Sequence, residues 1–156
     1  MVETVNRDFP NVATKRVLID ALAARFVLAP ESLDVVVASN LFGDILTDLG
    51  AAICGSMGLA PSGNINPERE YPSMFEPVHG SAPDIVGKGI ANPVAQIASG
   101  AMMLEFLGEK PAAELVNAAV RAVLGAGRAL TPDLGGAART SEVTDAVLAH
   151  MRSAAR

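Results

Sequence analysis

A single cysteine, a shortage of basic residues and the absence of any long apolar run together remove several classes of function. Cys54 has no second cysteine to pair with, so no disulfide can form within the chain, and a reducing compartment is its natural setting. Alone, it reads more readily as a small buried hydrophobe than as a reactive thiol. Lysine and arginine number 12 against 17 aspartate and glutamate, a net charge of -5. That balance argues against a nucleic-acid backbone or an anionic membrane as partner, while small anionic substrates stay open if basic groups cluster locally. No uninterrupted apolar stretch approaches the roughly 20 residues that cross a bilayer, and the polar start Met-Val-Glu-Thr-Val-Asn-Arg-Asp8 has no apolar leader core, so a soluble cytoplasmic protein is expected. Charged residues make up only 19% of the chain and apolar residues 50%, a globular composition with no low-complexity tract.

The first informative stretch is Ser39-Asn-Leu-Phe-Gly-Asp-Ile-Leu-Thr-Asp48, which reads as a helix capped by Ser39 or Asn40. Asp44 and Asp48 stand four residues apart and so share a face, with Cβ atoms roughly 5–6 Å apart. Paired carboxylates at that separation suit Mg2+ or Mn2+, which use few protein ligands and leave room for substrate oxygens. On spacing alone, a solvated acidic face is the competing reading. Ile45, Leu49, Ala52 and Ile53 can meanwhile face a core.

Upstream, Thr14 to Leu28 is expected to form a helix stopped at Ala29-Pro30, with apolar positions on more than one face, as if buried on two sides. Asp20 is its misfit, and on residue statistics it reads as an ordinary helix-surface acid paired with Arg16. Asp34-Val-Val-Val-Ala-Ser39 reads as a buried parallel strand. Downstream, Gly55, Gly58, Pro61, Gly63 and Pro67 punctuate a long loop region, the best candidate for a change of domain, so that 1–55 and 56–156 are the expected parts. Asn92-Pro93 caps a helix through Leu107 that stops at Gly108, with Met102, Met103, Leu104 and Leu107 expected in the core. Further helices are expected from Pro111 to about Leu124 and from about Ser141 to Met151. Alternating strands and helices make the chain α/β, with too few strands for a complete sheet.

Ser73 to Pro93 shows neither helical nor strand periodicity, and loops of that length are usually functional. Gly80, Gly87 and Gly89 would let backbone approach a ligand, His79 is a planar polar group, and Asp84 could accept from both ribose hydroxyls of a dinucleotide, favouring NAD over NADP. A glycine-rich structural crossover is the alternative, and no Gly-x-Gly-x-x-Gly follows a strand.

Three ordered stretches resemble the signatures of the β-decarboxylating dehydrogenases. They are Asn40-Leu-Phe-Gly-Asp-Ile-Leu-Thr-Asp48 with Gly55-Ser-Met-Gly-Leu59, then Phe75-Glu-Pro-Val-His-Gly-Ser-Ala-Pro-Asp-Ile85, then Gly87-Lys-Gly-Ile-Ala-Asn-Pro93. That family comprises 3-isopropylmalate, isocitrate, D-malate and tartrate dehydrogenases. Phe26-Val-Leu-Ala-Pro-Glu31, Asn66-Pro-Glu-Arg69 and Leu104-Glu-Phe-Leu-Gly108 look nearest the tartrate and D-malate branch. The resemblance covers nearly the whole chain but only the C-terminal part of a family member. It implies a partial isopropylmalate dehydrogenase-like fold: residues 1–55 ending a smaller, dimerising domain and 56–156 belonging to the NAD-binding domain. It implies oxidation of a 2-hydroxy diacid by NAD with decarboxylation, aided by Mg2+ or Mn2+. By position, Asp44 and Asp48 match the metal acids, and Asp20 matches the acid given across a dimer interface. Glu76, His79, Gly80, Ser81, Ala82, Asp84 and Asn92 match the NAD loop, with Asp133 at the adenine end.

The family's proton-transfer tyrosine and lysine and its substrate-gripping arginines lie in the part preceding these motifs. Neither Lys15 nor Tyr71 matches them, so the chain alone is expected to be inactive and to need a homodimeric partner, and a separately supplied N-terminal half for turnover. A non-catalytic binding or oligomerisation module that retains the fold is the alternative.

Overall fold

Proline and left-handed glycines set several of the helix ends, at Ala29-Pro30, Gly108 and Gly127, while the strands depend on a partner distant in sequence. The structure, a computed structural model, describes residues 2–154. Contacts divide it into two units, one up to Leu46 and one from Thr47.

In the first unit a short helix α1 (Val2–Val5) precedes α2 (Ile19–Leu28). The helix expected from Thr14 begins only at Ile19, because Leu18 is extended and no side chain caps the end. Thr14 and Val17 are β-branched, which further disfavours an earlier start. Asp20 lies in the first turn, where the helix dipole favours an anion, and its Oδ1 accepts the Ala21 N–H at 2.7 Å. It does not pair with Arg16: among the described residues the ion pair formed is Arg121–Glu114. As expected, α2 stops before Pro30, and Arg25 Nε donates to Ser32 Oγ at 2.7 Å, tying the next turn back onto the helix.

The strand expected over Asp34–Ser39 does not form, and Val35 and Val37 stand 83% and 73% exposed. A strand needs a neighbour for its N–H and C=O groups. Among the described residues, the sheet pairs two other segments. Helix α3 (Asn40–Ile53) then carries the chain from the first unit into the second. Leu46 and Ala51 are its buried apolar residues, whereas Ile45, Ala52 and Ile53 are exposed, so the stripe covered within the chain is not the expected one. Cys54, expected to be buried, is exposed.

The second unit has a hairpin and three helices. β1 (Pro61–Asn64) pairs antiparallel with β2 (Met74–Pro77), with Ser62 opposite Glu76 and Gly63 opposite Phe75. Both lie where loop was expected, since strands of four residues bearing proline show too little alternation to be read. The turn between them is closed by Asn66, whose Oδ1 accepts the Glu70 N–H, and by Ser73, whose Oγ accepts the Asn66 N–H. Arg69 lies over the Phe106 ring at 4.7 Å and fastens this turn to the end of α4 (Val94–Leu107).

α4 ends at Gly108, whose φ of 95° lets the Gly108 and Glu109 N–H groups reach back to the Glu105 and Leu104 carbonyls. α5 (Lys110–Ala126) and α6 (Thr140–Ala154) complete the unit within a few residues of their expected bounds. Val94, Ala119, Val120, Val123, Val143 and Val147 form the core where the three helices meet. Of the four α4 residues expected there, Met103 and Leu107 are exposed, because they lie off the face that α5 and the hairpin cover. No helix among the described residues is long and apolar enough to cross a membrane.

Candidate metal and cofactor site

α3 forms over the expected stretch and brings Asp44 and Asp48 onto one face, one turn apart. Both are exposed, and Asn40 Nδ2 lies 3.5 Å from Asp44 Oδ2. The pair is an all-oxygen donor set in contact with solvent, the chemistry a hard divalent cation requires. Asp20 is likewise exposed, in the first turn of α2. Among the described residues of a single chain, no three acidic, histidine or cysteine side chains converge closely enough to hold a metal.

The expected cofactor segment starts on β2, where Glu76 is exposed, and leaves the hairpin through the Val78 N–H, which donates to the Ala60 carbonyl. His79 Nδ1 lies 3.0 Å from the Gly80 carbonyl oxygen. Ala82 has a φ of 44°, a left-handed conformation that L side chains rarely adopt. Two turns follow: the Ile85 N–H donates to the Ala82 carbonyl, and the Lys88 N–H to that of Ile85. Gly87 and Gly89 also have positive φ, and a Cβ at Gly80 or Gly87 would meet nothing within 4 Å, so the backbone there borders open space. Ser81 and Asp84 are exposed on this loop. Its far end is pinned to α6: the Thr140 N–H donates to the Gly89 carbonyl at 3.0 Å and Thr140 Oγ1 to the Ala91 carbonyl at 2.5 Å. Open space beside Gly80 and Gly87, next to the exposed Asp84 carboxylate, is chemistry that fits a dinucleotide.

Asn92 is nearly buried and lies one residue before the cap of α4, because Pro93 occupies the cap position where Asn92 was expected; its Oδ1 still accepts the Val94 N–H at 3.0 Å. Its Nδ2 donates to Asp133 Oδ2 at 2.9 Å, and Ser56 Oγ donates to the same oxygen at 2.5 Å. Partial burial, the largest single influence on Asp133, pushes its carboxyl up. Ser56, Thr131, Asn92 and its own backbone together outweigh that and hold it below the usual carboxylate range. Thr131 acts there as a nearby dipole only: its Oγ1 is buried and no partner meets hydrogen-bond geometry. Sequence reasoning placed Asn92 and Asp133 but missed Ser56 and Thr140 as part of this region. Ser56-Met-Gly58 is a hydroxyl-capped turn whose Oγ accepts the Gly58 N–H, a signal present in the sequence; the contact of Thr140 with the loop has no local signature.

A family model described as isocitrate/isopropylmalate dehydrogenase matches residues 1–147. The chain belongs to this family. A probable tartrate dehydrogenase/decarboxylase of Agrobacterium vitis is 57% identical over 143 residues, covering 92% of this chain and 40% of that protein. The decarboxylating D-malate dehydrogenase of Escherichia coli K12 is 54% identical over 151 residues, covering 94% and 42%. The crystal structure of isocitrate dehydrogenase from Methylococcus capsulatus superposes with a TM-score of 0.90 at 42% identity, covering 96% of this chain and 44% of that one. The fold is therefore a part of the isocitrate/isopropylmalate dehydrogenase fold, and the tartrate and D-malate relatives match the branch its details resemble. The chain spans about 40% of the length of the curated relatives it matches.

Proposed function

We propose that this chain supplies the metal-binding helix and the NAD loop of an oxidative decarboxylase acting on a 2-hydroxy diacid of the tartrate, D-malate or 3-isopropylmalate type. Residues 1–55 end the smaller, dimerising domain and 56–156 form the C-terminal part of the NAD-binding domain. Asp44 and Asp48 hold Mg2+ or Mn2+ together with Asp20 of a second copy. When bound, such a cation would supply polarisation of a substrate oxygen and the dinucleotide would supply a hydride acceptor. The chain's own residues bind and orient: Asp84 accepts from the ribose hydroxyls, Gly80, Ser81 and Ala82 offer backbone to the cofactor, and Glu76, His79, Asn92 and Asp133 border it. The observation that carries this reading is the pair of exposed carboxylates one turn apart on α3, in a chain whose open loop backbone lies beside Asp84. A homodimer and a polypeptide carrying the tyrosine, lysine and arginines complete the site. Exposed Leu18, Leu28 and Leu41 are consistent with a covering partner, and a lone cysteine fits a cytoplasmic setting.

The test is to mix the chain with a separately expressed N-terminal half of a D-malate or tartrate dehydrogenase and follow NADH formation with Mn2+ and each of the three diacids. Turnover that is lost in Asp48→Asn supports the proposal. Absence of turnover with all three favours a non-catalytic module instead.

A further inference from the structure

A guanidinium stands against the loop that carries Asp84. Among the described residues, a Cβ at Gly89 would meet one atom within 4 Å, Nη1 of Arg139 at 3.6 Å, so the guanidinium lies over the bare α-carbon of this glycine. Its backbone is tied to the same loop: the Thr140 N–H donates to the Gly89 carbonyl at 3.0 Å and Thr140 Oγ1 to that of Ala91. Glu142 Oε2 accepts the Arg139 backbone N–H at 2.6 Å, and no ion pair among the described residues involves the guanidinium. On an exposed residue, its fork of N–H donors is therefore free for an acceptor from solution. Nucleotides offer ribose hydroxyls, which can donate, and phosphate oxygens, which only accept. A carboxylate such as Asp84 suits the first, and an arginine fork suits the second in a paired geometry that lysine cannot reproduce. Arg139 lies outside every stretch that resembles the family's signatures.

We propose that Arg139 is a further cofactor-binding residue, whose guanidinium pairs with a phosphate group of the dinucleotide. The chemistry is shared by the pyrophosphate and by a 2′-phosphate, and the experiment separates the two. This rests on the reading of residues 76–92 as the NAD segment, and it adds a cationic contact from the start of α6, where that reading places none.

The experiment titrates the 15N-labelled chain with adenosine, ADP-ribose and 2′-phospho-ADP-ribose, comparing wild type, Arg139→Gln, Arg139→Lys and, as a control on another exposed arginine, Arg128→Gln. In Arg139→Gln, affinity for a phosphate-bearing probe should fall about threefold or more while that for adenosine holds, and Arg139→Lys should restore part of the loss. A loss shared by both phosphate probes assigns the contact to the pyrophosphate, and one confined to 2′-phospho-ADP-ribose assigns it to the 2′-phosphate; either supports the proposal. If Arg139→Gln changes neither phosphate probe more than Arg128→Gln does, the guanidinium is a surface charge and the proposal is overturned. An equal loss for adenosine and ADP-ribose also overturns it, since Arg139 would then act through the shape of the loop and not through phosphate. A wild-type chain that gives no shifts with any of the three probes defeats the NAD reading itself, and this proposal with it, a result distinct from the failure of Arg139 alone.

Discussion

A Cβ on Gly136 would stand 2.0 Å from the carbonyl oxygen of Leu130, closer than any nonbonded carbon and oxygen can approach. The same turn is closed by the Gly136 N–H donating to the Thr131 carbonyl and the Ala138 N–H to that of Leu130. The obstacle is the Leu130 carbonyl group and the Cβ attached to the same residue, neither of which can swing aside, so relief requires opening the turn. Gly136→Ala should cost about 3 kcal/mol or more. Urea denaturation would measure it, and a loss below about 1 kcal/mol would show that the turn yields easily.

Ala82 carries its left-handed φ in the middle of the proposed cofactor loop. Glycine adopts that conformation without the Cβ clash, at the expense of a more flexible unfolded chain. Ala82→Gly should therefore raise stability slightly, by about 0.5 kcal/mol, and a clear loss of stability would mean the alanine methyl is packed rather than strained.

Asp44 and Asp48 repel each other across one turn when no cation is bound. Without metal, Asp48→Asn should stabilise α3 by about 0.2–0.5 kcal/mol. With millimolar Mn2+ the ranking should invert, since the wild type gains from a ligand bound only when folded. Thermal unfolding with and without Mn2+ reads both signs, and a Mn2+ effect equal in the two proteins would remove this carboxylate from the metal site.

Asp133 should make the chain acid-sensitive. Its carboxyl is held below its ordinary value of 3.8 when folded, so the unfolded chain takes up the proton first as pH falls. Its contribution is present above the unfolded value and is lost as pH drops through the folded one. Stability of the wild type should fall more steeply below about pH 4 than that of Asp133→Asn, and parallel curves would show that the donors around it do not favour the charged form.

The Val35-Val-Val37 segment has exposed side chains and, among the described residues, no strand partner. Replacing Val35 and Val37 by lysine should reduce self-association in light scattering and block assembly with an N-terminal half, while leaving the helical core of the second unit unchanged. Unimpaired assembly would mean that this segment pairs with nothing.

The parts of the fold that could be read in advance are those decided within a few residues. Proline after Ala29 ended α2, Asn92-Pro93 and Gly108 bounded α4, and the i to i+4 spacing placed Asp44 and Asp48 on one face of α3, because caps and helical periodicity are local chemistry. Asp34–Ser39 misled for the opposite reason. Its β-branched run is suited to a strand, but pairing is made by another segment, and among the described residues none takes that role. The β1–β2 hairpin was hidden by strands too short to alternate.

By itself, the order of residues determined the family, the helix that bears the carboxylate pair and the loop whose glycines free its backbone. Only the tertiary structure joined Ser56, Asn92 and Asp133, which lie up to 77 residues apart, and pinned Gly89 to Thr140. The physical reason is that a cap or a helical face is made by neighbours in the chain. A hydrogen bond between distant turns exists only once the packing of α4, α5 and α6 has brought their ends together.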